Sequence, residues 1–377
     1  MKKILVGGMT DQVGGIETFL MNYCERLTPL GFHFDFLCRY EHCAFMERIE
    51  QMGGTVYYLP QRSHSPLAYY RALNAFFQKH AKTYAVYWEN DCMMNNLEPL
   101  RYAKRYGIAT RIFHSHNSDN MDKSVKGKLR EIMHWRNRAG IERFATDYWA
   151  CSSTAGYWAF PDHVRQGEQY RVIANAVDVE RFAYQPHVRE EIRRSLAVEA
   201  QYVIMHIGRF QKQKNHIFLF EAFALLCKRK PEARLLLIGE GEGLTDALAK
   251  AEQLGIAHAV RFAGYRSDVP ALLQAADLFV LPSLFEGLSM VAVEAQAAGL
   301  PCLLSEGSPK ETKLTENVRF LPIDDATVWA TAMEEVMVNP GSREDGSAAL
   351  RAKGFDLPQN ITVISDFFHK AIEGKHQ

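Results

Sequence analysis

The sequence predicts an α/β protein built from two Rossmann-like parallel-sheet domains, and three observations carry that prediction. Short apolar runs of strand length alternate with longer segments of helical spacing along nearly the whole chain. The alternation weakens once, in a charged stretch near Val188–Ala200, and then restarts. The chain has 377 residues, enough for two separate cores. The first domain is expected over 1–180 and the second over 181–359.

The first block opens on Lys3–Val6. Two lysines precede a short apolar run with no cleavage site, so this reads as a strand and not as a signal peptide. Strands are then expected at His33–Cys38, Thr55–Leu59, Tyr84–Trp88, Thr110–Phe113, Asp147–Ala150 and Arg171–Ile173. Helical patterns separate most of them; Ile16, Phe19, Leu20, Tyr23 and Leu27 keep a 3.6-residue period. The second block predicts strands at Tyr202–Ile207, Ala233–Ile238, Ala259–Phe262, Asp277–Leu281, Pro301–Leu304 and Val318–Leu321. Helical spacing returns in Ile361–Ile372.

Composition excludes several classes. Lys and Arg total 44, as do Asp and Glu, and the zero formal charge argues against a general nucleic-acid binder. No apolar run reaches the eighteen residues of a membrane span. Seven cysteines without a Cys-x-x-Cys fit reduced thiols in a reducing compartment. The loop Gly7–Glu17 joins a strand to a helix, yet it lacks Gly-x-Gly-x-x-Gly spacing and strand two does not end in an acid. A nicotinamide enzyme is thereby disfavoured.

The most informative stretch is Phe285–Glu294, where Glu286 and Glu294 lie eight positions apart around a Gly287-led helix start. The apolar run Leu278–Pro282 before it reads as a buried parallel strand. Such a strand–loop–helix unit aims backbone N–H groups, here from Gly287, Leu288, Ser289 and Met290, at an anion above the sheet. Glu286 is expected in the loop and Glu294 two turns into the helix. Phosphate-binding groups beside two hydroxyl-accepting carboxylates suit a nucleotide sugar. A second element supports this: a strand ending in Gly208-Arg209, with Lys214 five residues after Arg209. Arg gives phosphate a planar fork and Lys a compact charge.

Glu-x7-Glu preceded by Gly-Arg and Lys resembles the donor signature of the retaining glycosyltransferases of family 4, of GT-B fold. The resemblance is strongest from Tyr202 to Pro301. It implies two Rossmann-like domains facing a central cleft, with the C-terminal helix, 360–374, crossing back to the first domain. It also implies that Arg209 and Lys214 hold the donor diphosphate, Glu286 the sugar hydroxyls and Glu294 the ribose. Asn215 stands where that family usually has Gly. The Gly14-Gly15 pair matches the family's glycines before the first helix, where backbone approaches donor phosphate and acceptor; a turn needing positive φ is a compatible reason for them.

In Arg111–Ser118, His116-Asn117 aligns best with the family's sugar-contacting His, with His114 the competitor. Ala176, in Asn175-Ala176-Val177-Asp178, replaces a usual Gly. Gly239-Glu240-Gly241-Glu242-Gly243 resembles the loop beneath the nucleotide, and the segment with Tyr265 and Arg266 the one whose backbone reads the base. Neither a third metal ligand near the two histidines nor an Asp-x-Asp occurs, so no metal or other cofactor is expected.

The implied activity is retaining hexosyl transfer, with the leaving phosphate taking the acceptor proton. The donor is expected to be a UDP-sugar, and the acceptor a saccharide or polyprenyl-diphosphate-linked saccharide of capsule or exopolysaccharide biosynthesis. A GT-B epimerase and a non-catalytic saccharide-binding protein are the alternatives. The cation-rich segment Lys123–Arg143 reads either as a face resting on anionic lipid or as a solvated helix face. A cytoplasmic location, with peripheral contact at the inner face of the membrane, goes with the first reading.

Overall fold

The computed structural model describes residues 3–117, 120, 122, 124–341, 343 and 345–374. It divides into two compact units, Met1–Asn175 with Pro358–Gln377, and Ala176–Leu357. The division falls at 175/176, where the sequence suggested 180/181.

The first unit carries a seven-stranded sheet: β1 (Lys3–Gly7), β2 (Phe34–Cys38), β3 (Val56–Tyr58), β4 (Tyr84–Asp91), β5 (Thr110–Ser115), β6 (Asp147–Ala150) and β7 (Tyr170–Val172). The order is β3-β2-β1-β4-β5-β6-β7 and every pairing is parallel. Central strands of such a sheet are covered on both faces, which is why β4 is apolar without alternation through Trp88. The helix Leu357–Glu373 closes this unit's core. Its Phe368 packs on Phe32, Phe34, Trp88 and Trp149, and Asn360 Nδ2 donates to Tyr23 Oη at 3.0 Å.

The second unit carries six strands: β8 (Tyr202–Ile207), β9 (Ala233–Ile238), β10 (Val260–Phe262), β11 (Leu278–Leu281), β12 (Cys302–Ser305) and β13 (Val318–Leu321). Their order is β10-β9-β8-β11-β12-β13, again all parallel. All thirteen strands fall on segments expected from the sequence, with ends shifted by three residues at most.

Much of the charged stretch near Val188–Ala200 belongs to a regular helix, Pro186–Ser195. Its pattern looked weak because two arginines do the inward packing: Arg189 and the buried Arg193 both pair with Asp277 at the foot of β11. Arg193 also donates to the carbonyls of Ala275, Val198 and Glu199, which keeps a buried guanidinium satisfied.

Candidate functional site

In an open parallel sheet, ligands bind beyond the carboxyl ends of strands where the order reverses. In the second unit that point lies between β8 and β11, whose connections leave in opposite directions. The loops leaving these two strands are stitched together. Leu284 N donates to Gln213 O (2.8 Å), Gln213 Nε2 to Phe285 O (2.9 Å) and Asn215 Nδ2 to Pro282 O (3.2 Å). Asn215 adopts φ 57°, ψ 42°. It therefore supplies the left-handed turn that Gly would, a conformation Asn tolerates better than other side chains.

These ties bring Lys214 Nζ to 2.6 Å from Glu286 Oε1. Arg209, at the exit of β8, is exposed. Two glycines shape this exit: a Cβ on Gly239 would lie 2.0 Å from Gly208 O, and one on Gly241 2.6 Å from Phe210 O. Phe210 N donates to Glu240 O and Gly243 N to Phe210 O, so the Gly-rich loop clamps the backbone that carries Arg209.

The helix after β11 starts later than expected. It spans Met290–Ala297 with Ser289 as N-cap, rather than beginning just after Gly287. Glu294 is thus the fifth helical residue, one turn in and not two. It lies about 6 Å along the axis from Met290 at 1.5 Å per residue. Gly287 and Leu288 belong to the preceding loop, and Gly287 has open space where a Cβ would stand. Met290 is the first helical residue, so the free N–H groups of the helix start are those of Met290 and Val291, further along the chain than the expected Gly287–Met290. Burial pushes the Glu294 carboxyl up to about 7, against the opposing pull of Arg181. Tyr265 is 75% exposed, and Arg266 is held in a two-point pair by Asp268.

The first unit has its own order reversal, between β1 and β4. There Gly8 has φ 107°, and a Cβ would meet Asn90 O at 2.2 Å. Asn90 Nδ2 donates to the carbonyls of Gly7 and Trp88, both at 3.1 Å, which fixes the amide with Oδ1 outward. His116 Nε2 lies 3.0 Å from that Oδ1. Since Oδ1 only accepts, Nε2 carries the proton and Nδ1 is left as an acceptor. Burial holds the His116 imidazole neutral down to about 3.

His114 is fully buried among Phe19, Trp88 and Trp149, while His116 is partly exposed. Gly14 caps the helix Gly15–Leu27 at φ −129°, so neither glycine of the pair serves a positive-φ turn; Gly8 does. Gly15 has open space at its Cβ position. Ala176 is not among the positive-φ residues either, so replacing Gly costs that segment nothing.

Three residues were missed from the sequence. Gln213 ties the two loops of the second unit, the charge of Arg181 acts on the Glu294 carboxyl, and Asn90 orients His116. Asn90 could have been found: it stands in a Glu-Asn-Asp run at the carboxyl end of an apolar strand, where ligand-facing groups collect. Among the described residues no cluster of three His, Cys, Asp or Glu could hold a metal ion, and no helix is long and apolar enough to cross a membrane.

Two Rossmann-like units, each with polar groups at its order reversal, define a GT-B architecture, and comparison with known proteins agrees. Residues 188–352 match the family described as glycosyl transferases group 1. The chain is 29% identical to the putative glycosyltransferase EpsF of Bacillus subtilis, over 96% of this chain and 95% of that one. It is 33% identical, over 54% of its length and 55% of the relative's, to an Escherichia coli enzyme. That enzyme is named as a UDP-Gal:α-D-GlcNAc-diphosphoundecaprenol α-1,3-galactosyltransferase. The fold of the present chain is similar to that of Anabaena HepE, crystallised with UDP, at TM-score 0.76 and 21% identity, covering 98% of this chain and all of that one. The family match falls wholly within the second unit.

Proposed function

We propose that the protein transfers a hexose from a UDP-sugar, with retention of configuration, to a saccharide carried on a polyprenyl diphosphate, as a cytoplasmic step of surface polysaccharide synthesis. The observation that carries this reading is the Lys214–Glu286 pair at the β8/β11 order reversal, with Arg209 exposed at the same strand exit. Arg209, Lys214 and the helix start at Met290 would neutralise the leaving diphosphate, stabilising charge where it develops. Glu286 would accept from donor sugar hydroxyls and Glu294 from the ribose. In the first unit, His116 Nδ1 would accept a sugar hydroxyl, and Gly14 and Gly15 would let a substrate approach the helix that follows. The C1–O bond to the β-phosphate breaks and a C1–O bond to the acceptor forms on the same face. The acceptor proton passes to the departing phosphate oxygen, so no protein nucleophile and no metal is required. The UDP of HepE and the UDP-galactose and lipid-linked acceptor of the Escherichia coli relative support these choices of donor and acceptor.

The test is labelled UDP-hexose incubated with and without an undecaprenyl-diphosphate-linked saccharide, with the product anomer assigned by NMR. Acceptor-dependent release of UDP with a retained anomer is expected. Conversion of the sugar by donor alone would mean an epimerase, and no turnover of any UDP-hexose would sink the proposal.

A further inference from the structure

The helix Val125–Arg138 of the first unit has its polarity turned inside out. A surface helix ordinarily buries its apolar stripe and shows a polar one. Here the only fully buried positions are Gly127 and His134, seven apart and so on one edge. That edge is secured: a Cβ on Gly127 would lie 1.8 Å from Asp122 O. His134 accepts from Met94 N at 3.0 Å, pairs with Trp158 O at 3.1 Å and stacks on Trp158. At 100° per residue, Val125, Leu129 and Ile132 lie on the opposite edge. They are 85%, 60% and 65% exposed. Met133 and Trp135, at 37% and 44%, widen the stripe.

Lys126 and Lys128 flank it and Arg136 stands within it; all three are exposed, and Arg130 is paired with Asp122. Glu131, the helix's only acid, lies nearer the buried edge and accepts from Asn120. No acid of the helix therefore stands within the outward stripe. Fourteen residues span about 21 Å, short of a bilayer core, so the helix is suited to lying along a surface rather than crossing it.

We propose that this helix is an interfacial anchor that seats the first unit on an anionic lipid bilayer, its apolar stripe entering the acyl boundary and Lys126, Lys128 and Arg136 meeting the headgroups. Charge selects this occupant over a second copy of the chain. A symmetric pairing of the stripe would set the same cations against each other, whereas an anionic surface matches both the apolar and the charged parts. The inference does not depend on the glycosyl-transfer reading.

The experiment is co-sedimentation of the full chain with phosphatidylcholine vesicles, with and without phosphatidylglycerol. Wild type should pellet with the anionic vesicles and far less with the neutral ones. L129E/I132E should lose at least about tenfold in partitioning, while circular dichroism and the thermal midpoint stay as in wild type. K126Q/K128Q/R136Q leaves the apolar residues in place and so stands independently of any folding defect in the first variant. It should lose roughly fivefold per cation removed, and added salt should weaken wild-type binding in parallel. Failure of wild type to bind anionic vesicles, or undiminished binding by both variants, overturns the proposal. So does sedimentation analysis showing a dimer that L129E/I132E dissolves, since the stripe would then be a self-association face.

Discussion

Lys214 Nζ and Glu286 Oε1 stand 2.6 Å apart, with side chains only 17% and 8% exposed, on loops that leave adjacent strands of one sheet. An ion pair this enclosed sets up a competition. A diphosphate arriving at Lys214 must share that cation with Glu286, whereas a donor carrying a sugar offers Glu286 hydroxyl groups in exchange.

Glu286→Ala should therefore leave UDP affinity unchanged or improved, because Lys214 is released, while weakening UDP-sugar relative to UDP. Lys214→Ala should weaken both ligands by roughly 1.5–3 kcal/mol, the range for hydrogen bonds to charged groups. It should also lower stability by leaving a mostly buried carboxylate alone. Calorimetry on the two variants and their double mutant separates the terms. An equal loss of both ligands in Glu286→Ala would rule out the sugar-side role.

Arg209→Ala tests the exposed member of the clamp. With its side chain in solvent, the thermal midpoint should not move. UDP affinity should fall by roughly 1.5–3 kcal/mol. Wild-type affinity in this variant would remove Arg209 from the diphosphate site.

Much of this was legible in the sequence because strands of a doubly covered sheet are continuous apolar runs. That is why all thirteen were found. The order Gly208-Arg209, Lys214, Glu286, Glu294 was equally readable. What sequence could not supply was pairing across loops. Nothing in the spacing says that Glu286 meets Lys214, or that Asn90 meets His116, because both contacts are set by which strands are neighbours. The helix Pro186–Ser195 showed only as a charged stretch for a related reason: nothing in the spacing says that Arg189 and Arg193 turn inward onto Asp277. The start of the Met290–Ala297 helix was misplaced because Gly287 and Ser289 are both acceptable caps by type.

Metal dependence is a separate matter. If Arg209, Lys214 and a helix start neutralise the diphosphate, excess chelator should leave transfer within about twofold of its untreated rate. Loss of activity on chelation, restored by magnesium or manganese, would show that the fixed cations are insufficient.

His116 should behave as a neutral acceptor throughout the working pH range. A base whose pKa is depressed to about 3 by burial takes no proton between pH 5 and 8, so no His116 step should enter the pH–rate profile. Nitrogen-15 spectra should show Nε2 protonated and Nδ1 bare, as the bond to Asn90 Oδ1 requires. His116→Ala should cut kcat by about 10²-fold or more with UDP affinity retained. His114→Ala should instead destabilise the fold by roughly 2 kcal/mol or more, since it empties a site walled by Phe19, Trp88 and Trp149. An Nδ1-protonated His116, or a Tm loss larger in His116→Ala than in His114→Ala, would reverse the assignment.

Glu294 carries the clearest pH signature. Its carboxyl is raised from 4.5 to about 7, first by burial, with Arg181 pulling the other way. The unfolded chain ionises this group near its ordinary value while the folded chain still holds the proton. The folded state therefore binds more protons between about pH 4.5 and 7, and stability falls as pH rises across that window. The full penalty, reached above pH 7, is at most about 3 kcal/mol. Glu294→Gln should remove that slope and unfold at higher denaturant than wild type at pH 8, with the two converging near pH 5. Ligand binding runs the opposite way. Ribose hydroxyls donate to the ionised carboxylate, so UDP should bind wild type more tightly as pH rises through 7, beyond whatever change the phosphate's own ionisation brings. Glu294→Gln, measured in parallel, carries the phosphate contribution alone and should show a shallower rise and weaker binding at pH 8. If the variant matches wild-type UDP affinity at every pH, Glu294 does not hold the ribose, and its raised pKa reflects burial beside Arg181 and nothing more.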